Sequence, residues 1–391
     1  MPHIVAASYS PFETPAREGA CSYEWFADPL AGGGETLVGV RYEEEPFLLR
    51  IKPKGDRFII KADKITRPSP LFKVKEALEG FCRLAECERI SDNIASIRPS
   101  HAAKAQEYHR SVEWFVDHFP AEREVWIEVG FGSGRHLLYQ AKKHPQIQFI
   151  GIEIHKPSIE QLLGQIALQG IDNILVVDYD ARLFLELAPS NVAGMIFVHF
   201  PVPWDKKPHR RVISAPFISE AERVLRPGGA LELRTDSENY FRYAFDLFMA
   251  RPEAELEVTK NIEPPVASKY EERWRRLGKD IYDIRMIGRA VSDPKRAGFD
   301  FRFEKLRYDP KIIDRFTTRS MVFGDYFVHF RKLYRIDDER LLLELSFGSF
   351  ERPTRAFVVI EPRGARYYAR RPLPTRANIE AHKKIEELLH G

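Results

Sequence analysis

Between residues 125 and 235 the chain alternates short apolar runs with stretches whose apolar positions recur every three or four residues. Five of these runs read as strands: Val125–Val129, Phe149–Ile154, Ile174–Val177, Gly194–Phe200 and Ala230–Thr235. Strands separated by helical stretches predict an α/β fold built on a doubly wound sheet. A sixth and a seventh strand are expected near Glu255–Val258 and Asp280–Met286, and a helix around Ala102–His118 leads into the first.

The flanks carry a different pattern. From Leu48 to Ile65 two strand-like runs enclose Lys54-Gly55-Asp56, a turn signal that reads as a β-hairpin. Ser69 and Pro70 offer an N-cap and a first helical position, and Leu71, Val74, Leu78 and Phe81 follow at helical spacing. After residue 290 the text turns β-rich, in Tyr326–Ile336, Leu341–Phe347 and Phe357–Ile360, then a Pro362-Arg363-Gly364 turn and Tyr367-Tyr368. A final helix spans Arg376–Leu389, with Thr375 as N-cap and Ile379, Ile385 and Leu388 on its buried side. Three domains are therefore expected: residues 1–100 as a small α+β domain, 101–290 as the α/β domain, and 291–391 as a β-rich domain ending in a helix. A chain of 391 residues exceeds what one core usually organises.

Composition narrows the class. No apolar run approaches the ~20 residues of a membrane helix, and the start lacks the basic and apolar pattern of a signal peptide, so a cytoplasmic protein without membrane contact is expected. Cys21, Cys82 and Cys87 show no paired spacing, which argues against a disulfide framework or a metal site. Net charge is only +3, yet basic residues crowd Lys206–Arg211, Lys269–Lys279 and Phe330–Arg335, the footprint of a phosphate-backbone partner.

The first candidate chemistry lies at Glu128-Val129-Gly130-Phe131-Gly132-Ser133-Gly134, after a strand and before a helix. Gly130, Gly132 and Gly134 permit a tight turn with a ligand close to the backbone, beside the unpaired N–H groups of a helix start. Glu153 ends the second strand, where open α/β sheets bind ligands, and provides the acceptor that a ribose diol needs. That layout suits a dinucleotide or an adenosine cofactor equally. Glu128 disfavours a pyrophosphate and suits the ammonium and sulfonium of S-adenosylmethionine. Asp180, after the third strand, is placed for the adenine amino group, with Asp178 as its rival.

The fourth strand ends in His199-Phe200-Pro201-Val202-Pro203-Trp204, followed by Asp205-Lys206-Lys207-Pro208-His209-Arg210-Arg211. A proline-stiffened loop with an aromatic and a basic run suits a flat base beside phosphates. Trp204 and Tyr270 are the natural stacking surfaces, while Lys206, Lys207, Arg210, Arg211 and Lys269 are suited to phosphates.

Together these motifs resemble the bacterial tRNA (guanine-N7-)-methyltransferase family, over about residues 105–290. The resemblance rests on Ile127–Gly134, Gly151-Ile152-Glu153-Ile154-His155, the Phe200–Trp204 loop, Thr235-Asp236, and Ser268-Lys269-Tyr270-Glu271 leading to Arg276-Leu277-Gly278. It implies a Rossmann-like class I methyltransferase fold and methylation of a guanine in the variable loop of tRNA. It also implies S-adenosylmethionine contacts at Glu128, Glu153 and Asp180, and substrate contacts at Lys206, Asp236, Ser268, Lys269, Tyr270 and Glu271. No protein partner is implied.

One position departs from the family. Where its pattern reads Phe-Pro-Asp-Pro-Trp, this chain carries Val202. Guanine N7 has an in-plane lone pair and no proton, so direct displacement needs no general base, and an active enzyme is expected. Asp205 and Asp236 are the candidates for the missing acceptor, with Glu271 a third. A tRNA-binding protein that has lost catalysis is the alternative reading. A small-molecule methyltransferase or nicotinamide enzyme would explain the glycine turn but not the Pro-Trp-basic loop.

Overall fold

The chain opens with antiparallel strands: β1 (His3–Ala6), β2 (Ala16–Glu18), β3 (Cys21–Pro29), β4 (Thr36–Tyr42), β5 (Glu45–Lys54) and β6 (Arg57–Ala62), of which β2 to β6 pair in succession and β1 pairs with β6. Helix α1 (Phe72–Leu84) and strand β7 (Arg89–Asp92) follow. The computed structural model describes every residue except 1, 31, 33, 69–70, 95–105, 254, 264–276, 296–297, 351 and 391. The expected hairpin forms, with Lys54 opposite Arg57 and Gly55 at φ +62°, a conformation that glycine adopts without steric cost. In β3 alternate residues Cys21, Tyr23, Trp25 and Ala27 are buried, the two-residue period of a strand. Helix α1 lays Val74, Ala77, Leu78 and Phe81 on this sheet, and the Tyr23 hydroxyl donates to the Ala77 carbonyl at 2.7 Å. Ser69 and Pro70, the expected start of α1, lie outside the described residues.

The central unit, Pro99–Gly298, holds the α/β sheet. Helix α2 (Val112–Asp117) is shorter than the helix expected there; it is capped by Ser111, whose side chain accepts from the Trp114 N–H. Then come β8 (Val125–Val129), α3 (Arg135–Lys143), β9 (Gln148–Glu153), α4 (Lys156–Gln169), β10 (Ile174–Asp178), α5 (Ala181–Leu187) and β11 (Ala193–His199). The unit continues with α6 (Ala215–Val224), β12 (Leu225–Thr235), α7 (Glu238–Met249), β13 (Glu255–Lys260) and β14 (Tyr282–Ile287). Strand order is β10-β9-β8-β11-β12-β14-β13, parallel from β10 to β12, with β14 antiparallel to both β12 and β13. This is the Rossmann-like doubly wound sheet expected of a class I methyltransferase. The chain steps outward from β8 to β9 to β10 and then returns to β11, so the order reverses between β8 and β11. Ligands of such sheets bind in the crevice beyond the strand ends at that reversal.

The last part of the chain supplies β15 (Met321–Phe323), β16 (Tyr326–Arg335), β17 (Leu341–Ser349), β18 (Thr354–Glu361), β19 (Gly364–Tyr368) and a C-terminal helix, Arg376–His390. The Thr375 hydroxyl accepts from the Asn378 N–H, as expected of its N-cap. Here the three-domain expectation is corrected. β16 pairs with β3, Tyr334 opposite Pro29 and Arg335 opposite Asp28, so the two ends of the chain share one twelve-stranded sheet. Met1–Arg98 and Phe299–Gly391 form a single compact unit. The physical reason is a shared core, in which Trp25, Leu37 and Leu48 pack with Tyr334, Leu342 and Phe357. Among the described residues no helix is long and apolar enough to cross a membrane.

Candidate active site

Strand β8 feeds directly into the glycine turn, where Gly130, Gly132 and Gly134 all have left-handed φ, +67°, +53° and +69°. Two of them are needed for different reasons. A Cβ on Gly130 would meet no atom within 4 Å, so the turn leaves open space there; a Cβ on Gly134 would lie 2.7 Å from Leu162 Cδ1, so glycine lets α3 seat against α4. Helix α3 starts without a side-chain cap, which leaves its first N–H groups directed at the turn.

Glu153, the last residue of β9, is fixed by three backbone donors. The Gly132 N–H reaches one carboxylate oxygen at 3.1 Å, and the N–H groups of Ile154 and His155 reach the other at 2.8 and 3.0 Å. The carboxylate therefore ties the glycine turn to the end of the neighbouring strand. Asp180 caps α5, accepting from the Arg182 N–H at 3.0 Å, and pairs with the Arg182 guanidinium at 2.8 Å. Asp178 stands opposite Glu153 in the sheet register.

Glu128 is only 3% exposed. Its carboxylate accepts from His136 Nδ1 at 2.8 Å, and Gln140, one turn along α3, donates to His136 Nε2 at 3.0 Å. The His136 ring lies 4.6 Å from that of His199, the last residue of β11, and His199 Nε2 bonds Glu232 at 2.8 Å. Arg285 pairs with the other Glu232 oxygen at 3.1 Å, and Arg234 pairs with Asp283 at 2.5 Å. Polar side chains thus recur on one face of the sheet from β8 to β14, on either side of Phe197. Burial works against charge on His136, but the charge of Glu128 and its hydrogen bond, followed by Glu232, outweigh it and raise the imidazole pKa. Burial likewise opposes ionisation of Glu232, yet the His199 bond and nearby cations bring it down to about 2.

The loop after β11 is held in a strained form. Phe200 and Trp204 have φ +48° and +46°, left-handed values that cost bulky residues on the order of 1–3 kcal/mol each. The Phe200 N–H donates to the Arg234 carbonyl at 2.7 Å, and Arg211 adds a second restraint. This residue is 6% exposed; its Nε donates to the Pro203 carbonyl at 2.7 Å, and its guanidinium lies over the rings of Tyr240 and Tyr243 at 5.0 and 4.6 Å. It also reaches Asp205 at 3.3 Å. Arg211 therefore differs from the expectation of a phosphate ligand: it is turned inward, because α7 presents two aromatic faces to it.

Trp204 is partly exposed beneath the Arg210 guanidinium, 5.2 Å from its ring centre, and Lys206 is exposed. Val202 is 60% exposed. Of the two candidate acceptors, Asp205 is half-exposed and engaged with Arg211, whereas Asp236 is mostly buried beside Lys279 Nζ at 2.8 Å. Ser268, Lys269, Tyr270 and Glu271 lie outside the described residues.

Sequence reasoning did not single out His136, His199 or Glu232 as a group. A signal was present: in Leu231-Glu232-Leu233-Arg234 a central strand alternates apolar with charged residues, which marks one polar face in a buried sheet.

Residues 122–284 match a family model described as a putative methyltransferase. Over 400 residues the chain is 43% identical to the tRNA (guanine-N(7)-)-methyltransferase of Wolinella succinogenes, covering 100% of both chains. It is 36% identical over 394 residues to that of Campylobacter fetus, covering 100% of this chain and 99% of the relative. With the Helicobacter pylori protein of the same name the identity is 37% over 394 residues, covering 100% and 98%. The similarity runs through both ends of the chain, so it is wider than the span of about residues 105–290 read from the motifs. The chain belongs to the tRNA (guanine-N(7)-)-methyltransferase family.

Proposed function

We propose that this protein transfers a methyl group from S-adenosylmethionine to N7 of a guanine in the variable loop of tRNA, in the cytoplasm. The observation that carries the reading is the meeting of two features at the reversal of strand order. They are the glycine turn clamped by Glu153 and the strained Phe200–Trp204 loop at the end of β11. The cofactor fits the residues present: open space over Gly130, donors at the start of α3, and carboxylates at Glu128 and Glu153.

When bound, S-adenosylmethionine supplies a methyl group activated by its sulfonium. Glu153 accepts from the ribose diol, Asp180 takes the adenine amino group, and Glu128 serves the α-ammonium. On the substrate side Trp204 stacks on the guanine, Lys206 and Arg210 bind phosphates, and the segment Ser268–Glu271 contacts the nucleotide as the family resemblance implies. Both aspartates have a cation beside them, and Asp236 is favoured over Asp205 for the guanine N1–H and amino group because it is mostly buried at the end of β12 whereas Asp205 is half-exposed. Guanine N7 needs no deprotonation, so alignment does the work, and such orientation contributes about 7–11 kcal/mol to reactions of this kind.

The test is methyl transfer from labelled S-adenosylmethionine to unmodified tRNA, followed by mapping of the product nucleotide. Label on N7 of a variable-loop guanine is expected. Label on another base position overturns the proposal, and complete absence of transfer identifies a binding protein. Asp236→Ala is expected to slow transfer; an unchanged rate removes Asp236 from the mechanism.

A further inference from the structure

We propose that His136 is a positioning residue of the cofactor site: its imidazole holds the Glu128 carboxylate in place, and the proton it carries is exchanged for the cofactor's α-ammonium. This inference rests on the cofactor reading given above.

A carboxylate as buried as Glu128 does not stand alone, since an unpaired charge in such a place is strongly destabilising. His136 meets it from the first turn of α3, two residues past the last glycine of the turn. Gln140 occupies the other ring nitrogen. Rotation of that amide lets it donate to a neutral imidazole or accept from a protonated one, so both states of His136 are satisfied.

The surroundings make the exchange specific. Facing His136 are Glu128 from β8, Phe197 and His199 from β11, and Glu232 and Arg234 from β12, with Gln140 on its own helix. Arg234 is committed to Asp283, and Glu232 is served by His199 and Arg285. Glu128 therefore has the histidine proton as its nearest adjustable positive charge. Arrival of an ammonium at Glu128 places two cations on one carboxylate. The imidazole proton is the one able to leave, and it passes to solvent while the Nδ1–H bond to Glu128 is kept. Burial lowers the His136 pKa, but Glu128 and Glu232 together outweigh it and hold it above the ordinary histidine value of 6.5. The sign follows: a proton competes with the cofactor, so affinity rises with pH through a window lying above 6.5 and levels off once His136 is neutral.

Glu128, Phe197 and Glu232 lie side by side in register across three strands, and the His136 ring packs on Phe197 and His199. The ring contact with His199 links the cofactor carboxylate, through His136, to the residue that precedes the base-binding loop.

The experiment uses S-adenosylhomocysteine, which keeps the α-ammonium and lacks the transferable methyl. Its binding to the full-length protein is followed calorimetrically, in two buffers of different ionisation heat, from pH 6 upward. The wild type is expected to release a fraction of a proton, approaching one where His136 is mostly protonated. His136→Leu should abolish that release, flatten the pH dependence and, above the window where the proton no longer competes, weaken binding a few-fold because the carboxylate loses the hydrogen bond that orients it. His136→Gln, which retains a donor, should recover most of the affinity but none of the proton release. In turnover the same variants should raise KM for the cofactor and leave kcat nearly unchanged. Proton release identical in wild type and His136→Gln overturns the inference and leaves the cofactor reading intact. No binding of S-adenosylhomocysteine by the wild type overturns both.

Discussion

Each of the two units buries an arginine, and the partners show what each one is for. Arg50, in the unit formed by both chain ends, is 9% exposed and meets three carboxylates: Asp63 and Glu35 at 2.5 Å and Glu344 at 3.1 Å. Glu344 in turn takes Arg355 at 2.8 Å and Arg331 at 3.2 Å, and Glu35 takes Lys332 at 3.0 Å. Burial opposes charge on Glu35 and Glu344, but Arg50 together with Lys332 at Glu35 and Arg355 at Glu344 outweighs it and lowers both pKa values. Arg211, in the central unit, meets a backbone carbonyl, two aromatic faces and one half-exposed carboxylate. The first arginine locks β5 to β17, strands nearly three hundred residues apart; the second pins the loop that carries Trp204. A closed set of charges serves the fold, whereas an arginine holding a strained backbone would, on the proposed function, serve the site.

The largest effect expected from breaking this contrast is on Arg50. Arg50→Met leaves Asp63, Glu35 and Glu344 buried without their common cation, and breaking a buried pair in this way typically costs about 3–5 kcal/mol. Urea unfolding should show the transition of the unit formed by the chain ends moving to lower denaturant. S-adenosylhomocysteine binding under native conditions should persist. Adding Asp63→Asn to Arg50→Met should recover part of the loss, because Glu344 keeps Arg355 and Arg331 and Glu35 keeps Lys332, whereas the Asp63 charge is the one left orphaned; a further loss of stability would refute the closed-cluster account.

The same contrast marks where the sequence was legible. β8, β9 and β10 are covered on both faces, so they appear as uninterrupted apolar runs and their boundaries are close to those read from the pattern. β3 is equally buried on alternate residues, but its other positions carry Ser22, Glu24 and Phe26, and its partner β16 lies some three hundred residues away. No local pattern announces such a pairing, and the single unit made of both ends was read as two domains. The placing of Glu128 and Glu153 beside the glycine turn was legible because topology dictates what the end of a strand can meet. The contact of His136 with Glu128 was not, because it depends on helix α3 bringing the imidazole over the strand. Arg211 was misread for the opposite reason: a run of basic residues looks like a solvated face, and the tyrosines that bury this one come from α7.

An intermediate effect is expected at Arg211 itself. Arg211→Lys keeps the charge, but a single ammonium cannot bond the Pro203 carbonyl, approach Asp205 and lie flat over two rings at once. The loop should relax from the left-handed values at Phe200 and Trp204. A misplacement of about 1 Å in a reacting group can lower a rate about a hundredfold, so single-turnover methyl transfer should fall roughly 10- to 100-fold at saturating tRNA. The expected stability loss is about 1 kcal/mol, and S-adenosylhomocysteine affinity should be unaltered. A variant that lost stability as Arg50→Met does, while keeping its rate, would erase the distinction between the two arginines.

The smallest effect is expected from the exposed end of the same loop, and it sharpens the comparison from outside. Lys206 is solvated, so Lys206→Ala should shift stability by less than about 0.5 kcal/mol. Its expected signature is in tRNA binding alone: a few-fold loss of affinity at low salt, and a slope of log affinity against log salt shallower by about 1, as for one phosphate contact removed. Arg210→Ala should behave differently, because that guanidinium also covers the Trp204 ring; it should weaken binding in a part that salt does not screen. Equal salt slopes for wild type and Lys206→Ala would take Lys206 off the phosphate backbone. Binding of tRNA would then rest on the stacked Trp204 and Arg210 and on basic residues elsewhere in the chain.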